Sequence, residues 1–156
     1  MPNNPIKVGD ALPAFTLLDQ NNTPISTADF IGQPLVIFFY PKDNTPGCAI
    51  ETKKFNDLAE EFQKNNIGVI GISGGDSVSK TKFCEKVGQN IRLLSDSNFK
   101  VCEKYGVYGE KKFMGRTYMG ISRVTYILDK DKKVIQVYPK VKPLIHAKEV
   151  FDYLVK

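Results

Sequence analysis

The segment Tyr40-Pro41-Lys42-Asp43-Asn44-Thr45-Pro46-Gly47-Cys48 carries the clearest chemical signal in this chain. A continuous apolar run, Pro34-Leu35-Val36-Ile37-Phe38-Phe39-Tyr40, leads into it, and a helical pattern follows it. Cys48 therefore stands in the first turn of a helix, at the carboxyl end of a buried strand. The first N–H groups of a helix have no intrahelical partner, and the helix dipole is positive at that end. Both features favour a thiolate, which is the attacking form of cysteine. Most cysteines are small buried hydrophobes. A Cys beside Pro46-Gly47 at a helix start is poorly placed for that role and reads as a reactive nucleophile.

The elements that must position Cys48 follow from apolar periodicity. A small hairpin is expected from residues 15–18 and 23–25 around residues 19–22. The run 34–40 is apolar without alternation, as in a strand covered on both faces. Phe55, Leu58, Ala59 and Phe62 recur at i, i+3, i+4 and i+7, one face of a helix. Residues 67–72 form a second buried strand. A helix over 77–87 has Asp76 to cap it and Gly88 to end it. A short strand over 92–94 and a short helix over 98–105 come next. Strands at 124–128 and 134–138 flank the turn Asp129-Lys130-Asp131-Lys132, and a last helix covers about 145–154. Strand–helix–strand–helix, then a hairpin and a helix, specify the α/β class, with a central mixed sheet flanked by helices. The length of 156 residues fits one domain, 1–156.

Composition narrows the function. Hydrophobic residues make up 42% and charged residues 25%, close to ordinary globular proteins. The chain has 22 Lys+Arg against 17 Asp+Glu, but the two signs are interspersed, as in Lys130-Asp131-Lys132-Lys133. That pattern argues against a nucleic-acid partner. The longest apolar run, 35–40, is far below the ~20 residues of a membrane span. Residues 1–5 lack a basic stretch followed by an apolar one, which predicts no export signal and a cytoplasmic protein. In that setting three cysteines read as thiols or a redox pair rather than a structural framework. No cofactor-binding pattern is present. Dispersed cysteines and the single His146 offer no metal site. His146 reads as structural, and Gly74-Gly75 as a flexible turn before the 77–87 helix.

Pro41, Thr45 and Cys48 match the active-site pattern Pro-x-x-x-Thr-x-x-Cys of the peroxiredoxins. The fuller Phe39-Tyr40-Pro41-Lys42-Asp43-Asn44-Thr45-Pro46-Gly47-Cys48, with Glu51 after it, resembles the bacterioferritin comigratory protein, or peroxiredoxin Q, subfamily. Gly71-Ile72-Ser73, Leu93-Leu94-Ser95-Asp96, Tyr105-Gly106-Val107, Gly120-Ile121-Ser122-Arg123-Val124-Thr125 and Lys140-Val141-Lys142 with His146-Ala147 fall in the family's order. The resemblance implies a thioredoxin-like fold, a peroxide substrate, thioredoxin or a similar dithiol as reductant, and a monomer. It assigns attack on the peroxide to Cys48. Thr45 and the Cys48 backbone N–H would hold the peroxide, Arg123 would stabilise the thiolate and the leaving oxygen, and Pro41 would shield the pocket. A redox sensor using the same oxidised switch is the competing class. A disulfide oxidoreductase would need Cys at position 51, where this chain has Glu51.

The resolving thiol is a separate question. Many subfamily members carry it five residues after the first Cys, and here that position is Lys53. Cys84, Cys102 and an external thiol remain open. Cys84 lies at the margin of the stripe set by Phe83 and Val87. Cys102 shares a face with Phe99 and reads as core. A second subgroup of the family has its resolving Cys in the helix after the second buried strand, and this resemblance implies Cys84.

Overall fold

The structure is a computed structural model and describes residues 7–11, 14–30, 32–41, 43, 46–88, 90–139 and 141–155. In chain order, β1 (Thr16–Leu18) and β2 (Pro24–Ser26) form the expected hairpin, followed by a short 3-10 turn (Thr27–Phe30) and β3 (Leu35–Phe39). Helices α1 (Pro46–Asp57) and α2 (Ala59–Lys64) lead to β4 (Gly68–Ser73), and α3 (Ser77–Val87) leads to β5 (Arg92–Ser95). Then come α4 (Lys100–Lys104), the hairpin β6 (Tyr108–Phe113) and β7 (Arg116–Ile121), the strands β8 (Val124–Leu128) and β9 (Val134–Tyr138), and α5 (His146–Val155).

Seven strands form one sheet in the order β2-β1-β5-β4-β3-β8-β9. β3 pairs in parallel with β4, and β4 with β5, while β3 pairs antiparallel with β8. This is the mixed sheet expected from the element order. Every residue of β3 is buried. Its apolar run is continuous because successive side chains enter opposite halves of the core. Leu35, Ile37 and Phe39 join one half with Val101 and Cys102 of α4. Val36 and Phe38 join the other with Phe55, Phe62, Phe83 and Val150, from α1, α2, α3 and α5.

The α3 bounds and caps are as the sequence predicts. The Asp76 side chain accepts from the Ser79 N–H at 2.9 Å, and Gly88, at φ +111°, donates its N–H to the Cys84 carbonyl. Two expectations need correction. The single helix drawn through Phe55 and Phe62 is two helices, because Leu58 (φ −98°, ψ 5°) leaves helical geometry. Its N–H is shared between the Lys54 and Phe55 carbonyls, which tightens the turn, yet Phe55 and Phe62 stay on one buried face. The β6–β7 hairpin was not expected. Residues 116–119 of β7 are exposed, so no apolar alternation marks it. Its turn is built on Met114 (φ 52°) and Gly115 (φ 80°), the paired left-handed residues that tight hairpins require.

Candidate active site

β3 delivers the chain at its carboxyl end to the connection with α1. Tyr40 extends the pairing by one bond, its N–H donating to the Ile72 carbonyl at 3.1 Å. α1 then starts at Pro46 and places Cys48 in its first turn, fully buried. β8 runs antiparallel to β3 with Val124 opposite Phe39, so the residue before it, Arg123, arrives beside the same connection. Pro41 is exposed at the bend after Tyr40. Thr45 lies outside the described residues.

Arg123 joins three groups of α1. Its Nη1 donates to Glu51 Oε1 at 2.8 Å, and Glu51 sits one turn after Cys48 on the same face. Its Nη2 lies against Gly47, where a Cβ would come within 3.1 Å. The Cys48 sulfur is near enough to act on the Arg123 charge. Burial opposes the Arg123 charge, but Cys48 and Glu51 outweigh it and raise its pKa. Glu51 is fully buried, and its Oε2 has no hydrogen-bond partner among the described residues. Burial, only partly offset by Arg123, pushes its carboxyl up to about 7.

A second polar cluster lies beside this one, and the sequence reading missed it. Asp43, between β3 and α1, accepts from the Tyr40 hydroxyl at 2.7 Å and from Ser79 Oγ at 2.7 Å. Lys80 of α3 is completely buried, with its Nζ 3.0 Å from Asp43 Oδ2. The available signal was Lys80 itself. It falls on the apolar stripe of α3 with Phe83, Cys84 and Val87, and all four are buried. A charge on a buried stripe demands a partner, but spacing cannot name one 37 residues away. The Gly74-Gly75 turn is held rather than loose. The Gly74 carbonyl accepts from Lys80 Nζ, and a Cβ on Gly74 would overlap Phe99 at 2.6 Å.

All three cysteines are free and buried. Cys84 is 2% exposed, so the marginal position expected for it is corrected. The buried Lys80 widens the inward face of α3 until it includes Cys84. Burial, with Asp43 adding and Lys80 opposing, pushes the Cys84 thiol up to about 11. Cys48 and Cys84 share one half of the core, in helices α1 and α3 that pack together. Cys102 is in the other half, across the sheet, as the core reading expects. Burial and the neighbouring Asp96 push its thiol far up. His146 is structural. It is fully buried, its Nε2 is 2.8 Å from Thr125 Oγ1, and its ring packs edge-on to Phe55 and Tyr138. Among the described residues no His/Cys/Asp/Glu group could hold a metal ion, and no helix is long and apolar enough to cross a membrane.

A mixed sheet flanked by helices, with a buried thiol at a helix start and an arginine on it, defines a thioredoxin-like thiol protein. The sequence pattern of the AhpC/TSA family matches residues 8–137. The chain is 40% identical to peroxiredoxin Bcp of Escherichia coli K12 over 151 residues, which is 97% of each chain. It is 42% identical, with the same coverage, to a putative peroxiredoxin bcp of Haemophilus influenzae. A cysteine-to-serine mutant of Xylella fastidiosa PrxQ superposes with a TM-score of 0.91 at 33% identity, covering 97% of both chains. Xanthomonas campestris bacterioferritin comigratory protein, whose structures address alkyl peroxide reduction, superposes with a TM-score of 0.87 at 34% identity, covering 99% of this chain and 97% of its own. The chain belongs to the AhpC/TSA family and, within it, to the Bcp/peroxiredoxin Q group of thiol peroxidases. Proteins of this family act on peroxides with a thiol reductant.

Proposed function

We propose that this chain is an atypical 2-Cys peroxiredoxin that reduces hydrogen peroxide and organic hydroperoxides. Cys48 is the peroxidatic thiol, Cys84 the resolving thiol, and thioredoxin or a similar dithiol the reductant. The Cys48 thiolate attacks one peroxide oxygen. An S–O bond forms, the O–O bond breaks, and the departing oxygen takes a proton to leave as alcohol or water. Arg123 serves both ends of this step, because its planar fork can face the sulfur while it is held by Glu51. Thr45 and the Cys48 N–H hold the peroxide oxygens as charge moves onto them, and Pro41 shapes the approach. Cys84 then displaces hydroxide from the Cys48 sulfenic acid, giving a disulfide that the dithiol reduces by exchange. Both thiols belong to one chain, so a monomer suffices. The chemistry suits the cytoplasm, where thiols stay reduced.

The observation that carries this reading is the placement of the cysteines. Cys48 and Cys84 lie on the same side of the sheet in packed helices, whereas Cys102 is across it. The test is mass spectrometry after one equivalent of hydrogen peroxide, with steady-state turnover on reduced thioredoxin. The expected product is a disulfide between Cys48 and Cys84. A disulfide to Cys102, or peroxide turnover by Cys48→Ser, would overturn the assignment.

A further inference from the structure

Lys80 precedes Cys84 by one helical turn, and its buried ammonium is bound on all sides. Its Nζ lies 2.6 Å from Ser73 Oγ, 2.6 Å from the Gly74 carbonyl, and 3.2 and 3.0 Å from the two Asp43 oxygens. An ammonium has three protons to donate, and the end of β4 together with Asp43 uses them all. Asp43 in turn takes Tyr40 Oη, Ser79 Oγ and, at 3.4 Å, Ser73 Oγ. Lys80 also stands 5.6 Å from the Tyr40 ring centre. These contacts fasten Asp43, just before the helix α1 that carries Cys48, to the helix α3 that carries Cys84.

The energetics of such a pair make it a switch. Buried ions lose their hydration, and their mutual attraction only about compensates for that loss. Removing one partner while the other stays buried is strongly unfavourable, yet releasing both into water restores their hydration. Half-open states are therefore disfavoured, and Asp43 and Lys80 leave the core together. We propose that the Asp43–Lys80 pair is a latch that couples opening of the first turn of α1, which carries Cys48, to opening of α3. It thereby sets how fast an oxidised Cys48 reaches Cys84. This inference rests on the reading of Cys84 as the resolving thiol. In the gated step the Cys84 sulfur gives up its proton and attacks the Cys48 sulfenic sulfur. The S–S bond forms, the S–O bond breaks, and the departing hydroxide takes the proton to become water. The latch also holds Cys84 in the protonated form, because burial and Asp43 both oppose its thiolate. Opening removes both effects and leaves Lys80 one turn away.

The test follows the decay of Cys48 sulfenic acid into disulfide, by quenched alkylation and mass spectrometry after one equivalent of hydrogen peroxide. Asp43→Asn and Lys80→Met should each accelerate this step about tenfold or more, since each leaves one buried partner unmatched. The double variant should accelerate it by less than the product of the two, the signature of a direct pair. In the reduced proteins, amides 46–53 and 77–88 should exchange faster in concert while 124–128 stay protected. Ser79→Ala, a milder change that removes one bond to Asp43, should accelerate the step about twofold to fivefold, and it serves if the charge variants do not fold. Two results overturn the latch: a wild-type rate in these variants, or faster exchange in only one of the two segments. A wild type that forms no Cys48–Cys84 disulfide overturns instead the assignment of Cys84.

Discussion

Gly47 and Arg123 are packed so closely that a Cβ on Gly47 would lie 3.1 Å from Arg123 Nη2. The guanidinium is held by its 2.8 Å bond to Glu51. Gly47 is in the first turn of α1, and its φ is not positive, so Ala can adopt the backbone there. In Gly47→Ala the new Cβ must push the guanidinium against its Glu51 contact, which offsets the helix-propensity gain, so stability should stay within about 1 kcal/mol of the parent. The variant should slow oxidation of Cys48 by hydrogen peroxide, about threefold to thirtyfold, if transition-state donors act as in other sites. Thermal unfolding and the second-order rate constant, measured on one preparation, check both halves. An unchanged rate constant would mean that the placement of Arg123 does not depend on the space at Gly47.

Arg123→Lys keeps a positive charge but loses the fork that reaches Cys48 and Glu51 together. We expect the rate constant for sulfenic acid formation to fall roughly 10- to 1000-fold, reaching at its upper end the ~100- to 1000-fold cost of losing one preorganised donor. Competition kinetics against a second peroxidase provide the measurement. An unchanged constant would remove Arg123 from the reacting site.

Glu51 gives a pH signature. Its folded pKa is raised from 4.5 to about 7, chiefly by burial. The folded protein therefore holds a proton that the unfolded chain releases from pH 4.5 upward. This contribution to stability is complete below 4.5 and is lost as pH rises through about 7. Over that window it amounts to roughly 3 kcal/mol at most. Glu51→Gln cannot titrate, so its stability relative to the parent should improve steadily from pH 4.5 to 7 in urea melts. A pH-independent difference between the two proteins would show that Glu51 does not titrate in this range.

The candidate site is legible in the sequence where its parts are local. Helix-start position, motif and the spacing to Glu51 are all set within a few residues of Cys48, and the α3 caps lie in sequence at Asp76 and Gly88. Long-range polar pairing was not legible. Nothing near Asp43 announces Lys80, and only the sheet, by setting the end of β4 beside the end of β3, brings Ser73 and α3 to Asp43. The β6–β7 hairpin escaped because most of β7 is exposed, and a solvated strand leaves no apolar period to detect. The depth of Cys84 is hidden for a related reason: apolar residues alone define a stripe that leaves Cys84 at its margin, whereas the buried face of α3 also includes Lys80.

Oxidation should partly unfold α1 and α3. A disulfide needs Cα atoms about 4.4–6.8 Å apart, while packed helix axes lie about 8–10 Å apart. Cys48 and Cys84 are both buried, in two different helices, and both are reduced in the folded protein. Joining them requires at least one helix to leave its place. α3 is the weaker of the two. It has 11 residues, includes the β-branched Val78 and Thr81, and its exposed positions add little packing. Helices of this length depend on tertiary contacts for stability. The first turn of α1 must also open to expose a sulfur that is fully buried when reduced. Hydrogen exchange should therefore rise on oxidation at residues 46–53 and 77–88, and stay level around Cys102, which is across the sheet. Cys84→Ser should react rapidly with one equivalent of peroxide and then stall as sulfenic acid in the presence of thioredoxin. Cys102→Ser should turn over like the parent. Equal protection in both redox states, or full thioredoxin-coupled turnover by Cys84→Ser, would leave resolution through a local opening without support.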